Sequence, residues 1–247
     1  ISLSHLTELT WEEEDKESAS GPRETSILFF IDAPSLRSLT LRLPRHHSKS
    51  VDVEVPHPLR GLASCGIGLA SLSLTMGRLP LTMSQMAAVL RFIPNVEVLK
   101  LSCDIFPDPD GDLFHLLSTG VAHGSETRDD DGESIGIGQA PLCPRLRCLM
   151  WESSQPDFYE ESILTFLRER RGTMMEIGGV TRIWKVVVDI LPARGVFPVK
   201  NPLAGRAFLE DLEKEGIDVD GLVVEIPAWP VYPIPSNGWS SSFGAEC

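Results

Sequence analysis

The 247-residue sequence has no apolar run near the roughly 18 residues that a helical membrane span needs. No membrane anchor is therefore expected. Cysteine is scarce: Cys65, Cys103, Cys143, Cys148 and Cys247 make five, an odd number, with no CxxC pair among them. That composition argues against a disulfide scaffold and for a reduced, intracellular protein, cytoplasmic or nuclear. Cys143 and Cys148 lie five apart and would hold a metal only with two more ligands from elsewhere. Positive charge is short, with 22 Lys and Arg against 35 Asp and Glu. The net charge of -13 sets up a field that repels a phosphate backbone, so nucleic acid is not an expected partner.

The common catalytic signatures are also missing. There is no GxSxG elbow, no HExxH helix and no P-loop. Ile135-Gly-Ile-Gly138 is glycine-rich, but no strand precedes it and no helix follows. Asp108-x-Asp110-Gly111-Asp112 resembles the start of a calcium loop, yet position twelve is Thr119 rather than glutamate. A turn and helix cap accounts for it better. His46, His47 and His57 fall in a polar stretch, 43–60, where Val51, Val53 and Val55 alternate as in a surface hairpin. These histidines, with Asp108 and Asp110, would be the first candidates for a loop-borne metal site in an enzyme, and zinc or calcium binding would favour that reading. The reading we prefer has no catalytic residue, no cofactor and no metal.

What the chain does have is a repeated spacing. Leu6, Leu9 and Trp11 stand three and then two residues apart. So do Leu36, Leu39 and Leu41; Leu69, Leu72 and Leu74; Val96, Leu99 and Leu101; and Leu146, Leu149 and Trp151. Ile183, Val186, Val188 and Val219, Leu222, Val224 are weaker copies. This is the spacing of a short strand entered from a turn, as in leucine-rich repeats. Pro34, Pro94 and Pro144 each stand two residues before a first apolar site, where a residue lacking a donor is tolerated. The first positions are 30, 33, 27, 50, 37 and 36 residues apart. These intervals exceed those of regular leucine-rich repeats and leave room for a helix and a loop each.

Helices are predicted over Ser84–Phe92, Asp112–Thr119 and Ala204–Glu215, the last two stopped by Gly120 and Gly216. Another starts at Asp157, with Glu160 as its capping partner, and runs to Arg171. Its apolar face is Phe158, Ile163, Phe166 and Leu167, and Gly172 closes it. Arg168, Arg170 and Arg171 sit in its last turn, where the helix dipole favours cations, and are read as a solvated helix end. The fold class expected is α/β: an irregular leucine-rich-repeat-like solenoid with a parallel sheet on one face and helices on the other. One such domain covers 1–226, with acidic loop insertions near 12–22 and 123–139. A Pro-, Ser- and Trp-rich tail follows over 227–247, in which Trp229, Tyr232 and Trp239 either cap the last repeat or extend away from it. The chain begins at Ile1 rather than Met, and we expect an N-terminal part to be missing.

In such a sheet the residues between the inward ones point to the concave side. They are Glu8 and Thr10, Ser38 and Thr40, Ser71 and Ser73, Val98 and Lys100, Cys148 and Met150. The row begins small and polar and turns apolar. Ser38, Thr40, Ser71, Ser73, Val98, Lys100, Cys148 and Met150 are the candidate partner-binding residues, unless neighbouring loops simply cover this face.

Cys143-Pro-Arg-Leu-Arg-Cys-Leu149, followed by Ile163-Leu-Thr-Phe-Leu-Arg-Glu-Arg-Arg171, resembles the strand and helix of repeats in large fungal (basidiomycete-type) F-box proteins. Leu209-Glu-Asp-Leu-Glu-Lys-Glu-Gly-Ile-Asp-Val219 is similar to their last repeat. The resemblance covers most of 3–224 and implies a leucine-rich-repeat-like, non-catalytic region that holds a protein target. It also implies recruitment to a cullin-type ubiquitin ligase, provided an F-box precedes Ile1; the F-box itself is absent from this sequence.

Overall fold

The computed structural model describes residues 2–12, 31–43, 57–77, 80–106, 112–119, 141–153, 160–172, 180–190 and 202–226. His46, His47, Asp108, Asp110, Asp157, Phe158, Gly120, the glycine run at 135–138, the insertions at 13–22 and 123–139, and the tail 227–247 lie outside them.

Each strand begins with a small turn that the leucine spacing encodes. The first apolar residue of a copy donates its N–H to the carbonyl three residues back. Leu6 bonds Leu3, Leu36 bonds Ala33, Leu69 bonds Gly66, Val96 bonds Ile93 and Leu146 bonds Cys143, at 2.9–3.2 Å. The next two N–H groups then share one carbonyl of the preceding strand: Arg37 and Ser38 bond Thr7, Ala70 and Ser71 bond Arg37, Arg147 and Cys148 bond Glu97. Pro34, Pro94 and Pro144 occupy the turn itself, where no donor is required.

The result is an α/β architecture with one open, seven-stranded parallel sheet whose strands follow chain order. They are β1 (Glu8–Glu12), β2 (Ser38–Leu43), β3 (Ser71–Met76), β5 (Val98–Ser102), β7 (Cys148–Ser153), β8 (Lys185–Ile190) and β9 (Val223–Glu225). Two short strands, β4 (Leu81–Thr82) and β6 (Ile105–Phe106), pair separately. The helices are α1 (Leu62–Cys65), α2 (Met83–Phe92), α3 (Leu113–Thr119), α4 (Glu160–Arg171) and α5 (Pro202–Lys214).

Alternation assigns each face. Leu39, Leu72, Leu99 and Leu149 stand in register and are sealed, and so are Leu41, Leu74, Leu101 and Trp151. Met86, Phe114, Phe166 and Phe208 from the helices join the same core cluster. A Thr82–Gln85 capping box starts α2, and the Asp112 carboxylate accepts from the His115 N–H to start α3.

Three expectations are corrected. The stretch 43–60 does not read as a hairpin throughout: His57–Gly61 is a 3-10 turn and Leu59 within it is fully buried. The last strand is shifted by two residues, because Val224 pairs with Val186 rather than taking the place beside Val188. A shift of two keeps every side chain on its own face. Gly221, at φ 68°, now stands at the turn where other copies have their first leucine.

The third correction is the basic run. Arg170 is 1% exposed and Arg171 6%. Arg170 donates to the carbonyls of Leu117 (3.2 Å), Leu142 (2.8 Å), Cys143 (3.2 Å) and Pro144 (3.2 Å). Arg171 donates to those of Ile183 (2.8 Å), Asp218 (2.6 Å) and Asp220 (2.7 Å). Only Arg168 lies toward solvent, paired with Glu215 and Glu161 at 2.7 Å. A guanidinium presents five donors in a rigid fork, and loop carbonyls clustered around the end of α4 need that many.

Helix α5 meets β9 through Gly205. A Cβ there would stand 2.0 Å from the Val224 carbonyl oxygen. Alanine gains up to about 1 kcal/mol in helix propensity over glycine, but forced overpacking costs about 1–3 kcal/mol. The obstacle is backbone already held in the sheet, so the clash should win. Gly205→Ala is expected to destabilise by about 2 kcal/mol in urea unfolding, within that overpacking range. Gly216→Ala, with nothing within 4 Å but φ at 79°, should cost about 1 kcal/mol through backbone strain alone.

Candidate site on the open face of the sheet

Residues alternating with the sealed ones share the opposite face. Glu8 pairs with Ser38, Ser38 with Ser71, Ser71 with Val98, Val98 with Cys148, and Cys148 with Lys185. Two residues on, Thr10, Thr40, Ser73, Lys100, Met150 and Val187 pair in the same order. Thus all eight candidate residues stand on one face in two parallel rows. Neighbouring strands lie about 4.8 Å apart, so Ser38 to Cys148 spans roughly 14 Å.

The face has two halves. Over β1 to β3 it carries hydroxyls, with Ser38, Thr40, Ser71 and Ser73 all half-buried. Over β5 to β8 it carries Val98, Met150 and Val187 between Lys100 and Lys185. Lys100 is exposed, and Met150 and Val98 are half-buried. Cys148 is 4% exposed, so it offers a partner little surface despite its central place. Burial pushes its thiol pKa up, against the pull of Lys185 and Lys100.

A third row was not foreseen. Glu12 pairs with Arg42, Arg42 with Thr75, Thr75 with Ser102, Ser102 with Glu152, and Glu152 with Asp189. Continuing the alternation one residue past each leucine motif would have found it. Glu12 and Arg42 form an ion pair at 3.3 Å, but both are well exposed, and such pairs contribute at most about 1 kcal/mol.

The described cysteines are not reactive groups. Cys65, Cys103, Cys143 and Cys148 are free and buried. Burial pushes Cys103 up to about 12, helped by the nearby Asp104 charge. Burial likewise pushes Cys143 up to about 12, against the Arg170 charge. Thiols so held stay protonated at neutral pH and are poor nucleophiles and metal ligands. Among the described residues no group of three or more His, Cys, Asp or Glu could hold a metal ion. His57 opens its 3-10 turn. Among the described residues, no helix is long and apolar enough to cross a membrane.

No family model, curated protein or solved structure matches the chain.

Proposed function

We propose that the chain is a leucine-rich-repeat-like solenoid that serves as a non-catalytic protein-binding module, with the open face of its sheet as the contact surface. We further infer that it is the target-recognition part of an F-box-like ubiquitin-ligase adaptor. The observation that carries the first reading is the unbroken register from Glu8 to Lys185, which sets polar and apolar side chains in continuous rows opposite the helix-covered core. Half-buried hydroxyls beside Val98 and Met150 suit a partner that combines backbone hydrogen bonding with aliphatic anchors. The second reading rests on the likeness of Cys143–Leu149, Ile163–Arg171 and Leu209–Val219 to fungal F-box repeats.

Binding and folding are separable here, because these side chains lie outside the core. A partner captured by the full chain, then purified and titrated, should bind Ser71→Arg and Met150→Glu at least about 30-fold more weakly, the scale of a hot-spot loss. Both variants should unfold at the wild-type urea midpoint. Wild-type affinity in both would remove the open-face assignment. For the adaptor reading, the transcript upstream of Ile1 should contain an in-frame F-box; an in-frame start codon without one would remove that reading and leave the binding module.

A further inference from the structure

The turns that enter β7 and β8 stack on each other. The Thr181 N–H donates to the Pro144 carbonyl at 2.7 Å, and the Trp184 N–H donates to the Arg147 carbonyl at 2.9 Å. Arg145 and Arg147 therefore stand beside Arg182 and Trp184, about 4.8 Å away, the spacing of neighbouring strands. Three arginines thus flank one tryptophan at the rim where these strands begin.

The same rim position on the earlier strands holds Thr7, Arg37, Ala70 and Glu97, each joined to the next by a backbone hydrogen bond. None of these is a large apolar residue. Trp184 is 47% exposed, although Ile183 before it and Val186 after it are sealed. Val223, whose N–H donates to the Trp184 carbonyl, is 40% exposed. A single exposed apolar residue is ordinary, but two that adjoin make a patch that the core does not use.

The charges around this patch do not cancel. Arg147 faces Glu97 at 3.8 Å, too long for a hydrogen bond, and both side chains are exposed. On the β9 side Asp218 pairs with Arg182, and Arg171 donates to the Asp220 carbonyl. Among the described residues Arg145 and Lys185 have no ion-pair partner. The rim beside Trp184 thus carries an excess of positive charge in a chain whose net charge is -13.

We propose that this rim binds a short acidic segment of a partner protein. One apolar side chain of the segment lies on Trp184, and carboxylates on both sides of it meet Arg145, Arg147 and Lys185. Guanidinium groups hold carboxylates through paired hydrogen bonds, and tryptophan and arginine are among the side chains that dominate interfaces. The occupant has to be short. Charges are screened within about 8 Å at physiological salt, so a short segment meets only the local excess. A nucleic acid or an anionic membrane would extend over the acidic remainder of the chain and be repelled. The site adjoins the open face at Lys185 but uses neither Ser71 nor Met150, so it stands or falls apart from the open-face reading.

The test uses the full chain and the peptide Ser-Asp-Glu-Leu-Glu-Asp-Ser. Binding is read by NMR at the Trp184 indole N–H, assigned by its loss in Trp184→Phe. Replacing the four acids of the peptide with Asn and Gln should weaken binding about tenfold or more, and so should replacing its leucine with serine. Binding should also weaken as salt rises from about 0.1 to 1 M, which shortens the screening length from about 10 to about 3 Å. Arg145→Ala with Arg147→Ala should raise Kd about tenfold or more, because Glu97 is then left to repel the peptide, and should keep the wild-type urea midpoint. Trp184→Ala should weaken binding on the same scale. Arg206→Ala, which removes a cation from the exposed side of α5, should bind as wild type. Equal binding of the acidic and amide peptides, no binding of either, or wild-type affinity in the double arginine variant would overturn the proposal. Capture by phosphatidylserine vesicles in place of the peptide would also overturn it, in favour of a lipid surface. A Trp184 indole signal that moves with protein concentration alone would overturn it in favour of self-association.

Discussion

Arg170→Ala is expected to destabilise the chain by about 4 kcal/mol, within the cost of breaking a buried charged network. Four carbonyls lose a donor at once; those of Cys143 and Pro144 keep the Leu146 and Thr181 N–H groups, while those of Leu117 and Leu142 lose the guanidinium, and each buried acceptor left unsatisfied costs about 1–3 kcal/mol. Two effects hold the total below that sum. Water entering the space restores some bonds, and the desolvation of a buried cation is relieved. Burial already pushes the Arg170 pKa below that of an ordinary arginine. The side chain also lies 5.5 Å over the Phe166 ring, so alanine loses packing as well as donors.

The position of the accepting carbonyls raises the stake. Leu117 lies in the last described helix before the long insertion and Leu142 follows it, so one guanidinium ties together two flanks 25 residues apart in sequence. Closing a loop of that length costs chain entropy that the remaining contacts must offset. Arg171 ties α4 forward in the same way, to Ile183 and to Asp218 and Asp220 before β9. Arg170→Lys keeps the charge but gathers three donors on one nitrogen, and should recover less than half of the loss. Arg170→Met keeps most of the volume and no donor, and should fall about 3 kcal/mol below wild type, in line with unsatisfied acceptors. The measurement is the urea midpoint at unchanged slope, with amide exchange reporting whether 142–144 opens first. An alanine variant within about 1 kcal/mol of wild type, the scale of an ordinary surface change, would show that these bonds are replaceable by water.

Much of the sheet was legible because the leucine spacing states both the turn and the alternation. Leu36, Leu39 and Leu41 predict a turn, a sealed position and a second sealed position, and the structure has all three. The eight candidate residues fell on one face for the same reason, since a period of two admits only two faces. The open-sheet register survives the 50-residue interval because pairing depends on the strands and not on what loops out between them. The basic run was misread because cations default to water. Yet Ile163, Phe166, Leu167 and Arg170 follow helical spacing, and Arg171 stands four after Leu167. Arg170 and Arg171 thus continue the apolar stripe, while Arg168 does not. That signal was available. What no pattern could supply is the acceptor set, because a backbone carbonyl has no residue type. The slipped register of the last strand has a local cause: Gly221 at positive φ shortens the turn, and Val219 and Leu222 imitate the leucine spacing two residues early.

Trp151→Ala should cost about 4 kcal/mol, in the usual range for truncating a buried tryptophan. Trp151 is 1% exposed and is the largest sealed side chain in the sheet. It meets Phe114 edge to face at 6.4 Å, and Phe114 in turn meets Phe166 at 5.7 Å. Its indole N–H donates to the Cys103 carbonyl at 3.1 Å. One strand side chain therefore joins α3 to the turn after β5, and reaches α4 through Phe114. Trp151→Leu installs the residue that Leu41, Leu74 and Leu101 already place in this row. It restores most of the apolar contact but neither the full volume nor the donor, so about 2 kcal/mol should remain lost, a partial cavity plus one unmet acceptor. Trp11→Ala makes the internal comparison. Trp11 occupies the same row on β1 but is only partly buried, and should cost about 1–2 kcal/mol because less surface leaves water there. Equal losses at Trp11 and Trp151 would mean that the two positions of this row are equally covered in solution, against the structure. The side chains beside Trp151 in sequence, Met150 and Glu152, point the other way. Trp151→Leu should therefore lower the urea midpoint while leaving affinity for an open-face partner within about threefold, whereas Met150→Glu should do the reverse. That crossed pair of outcomes separates the strand's two faces into one that holds the fold and one that meets the partner.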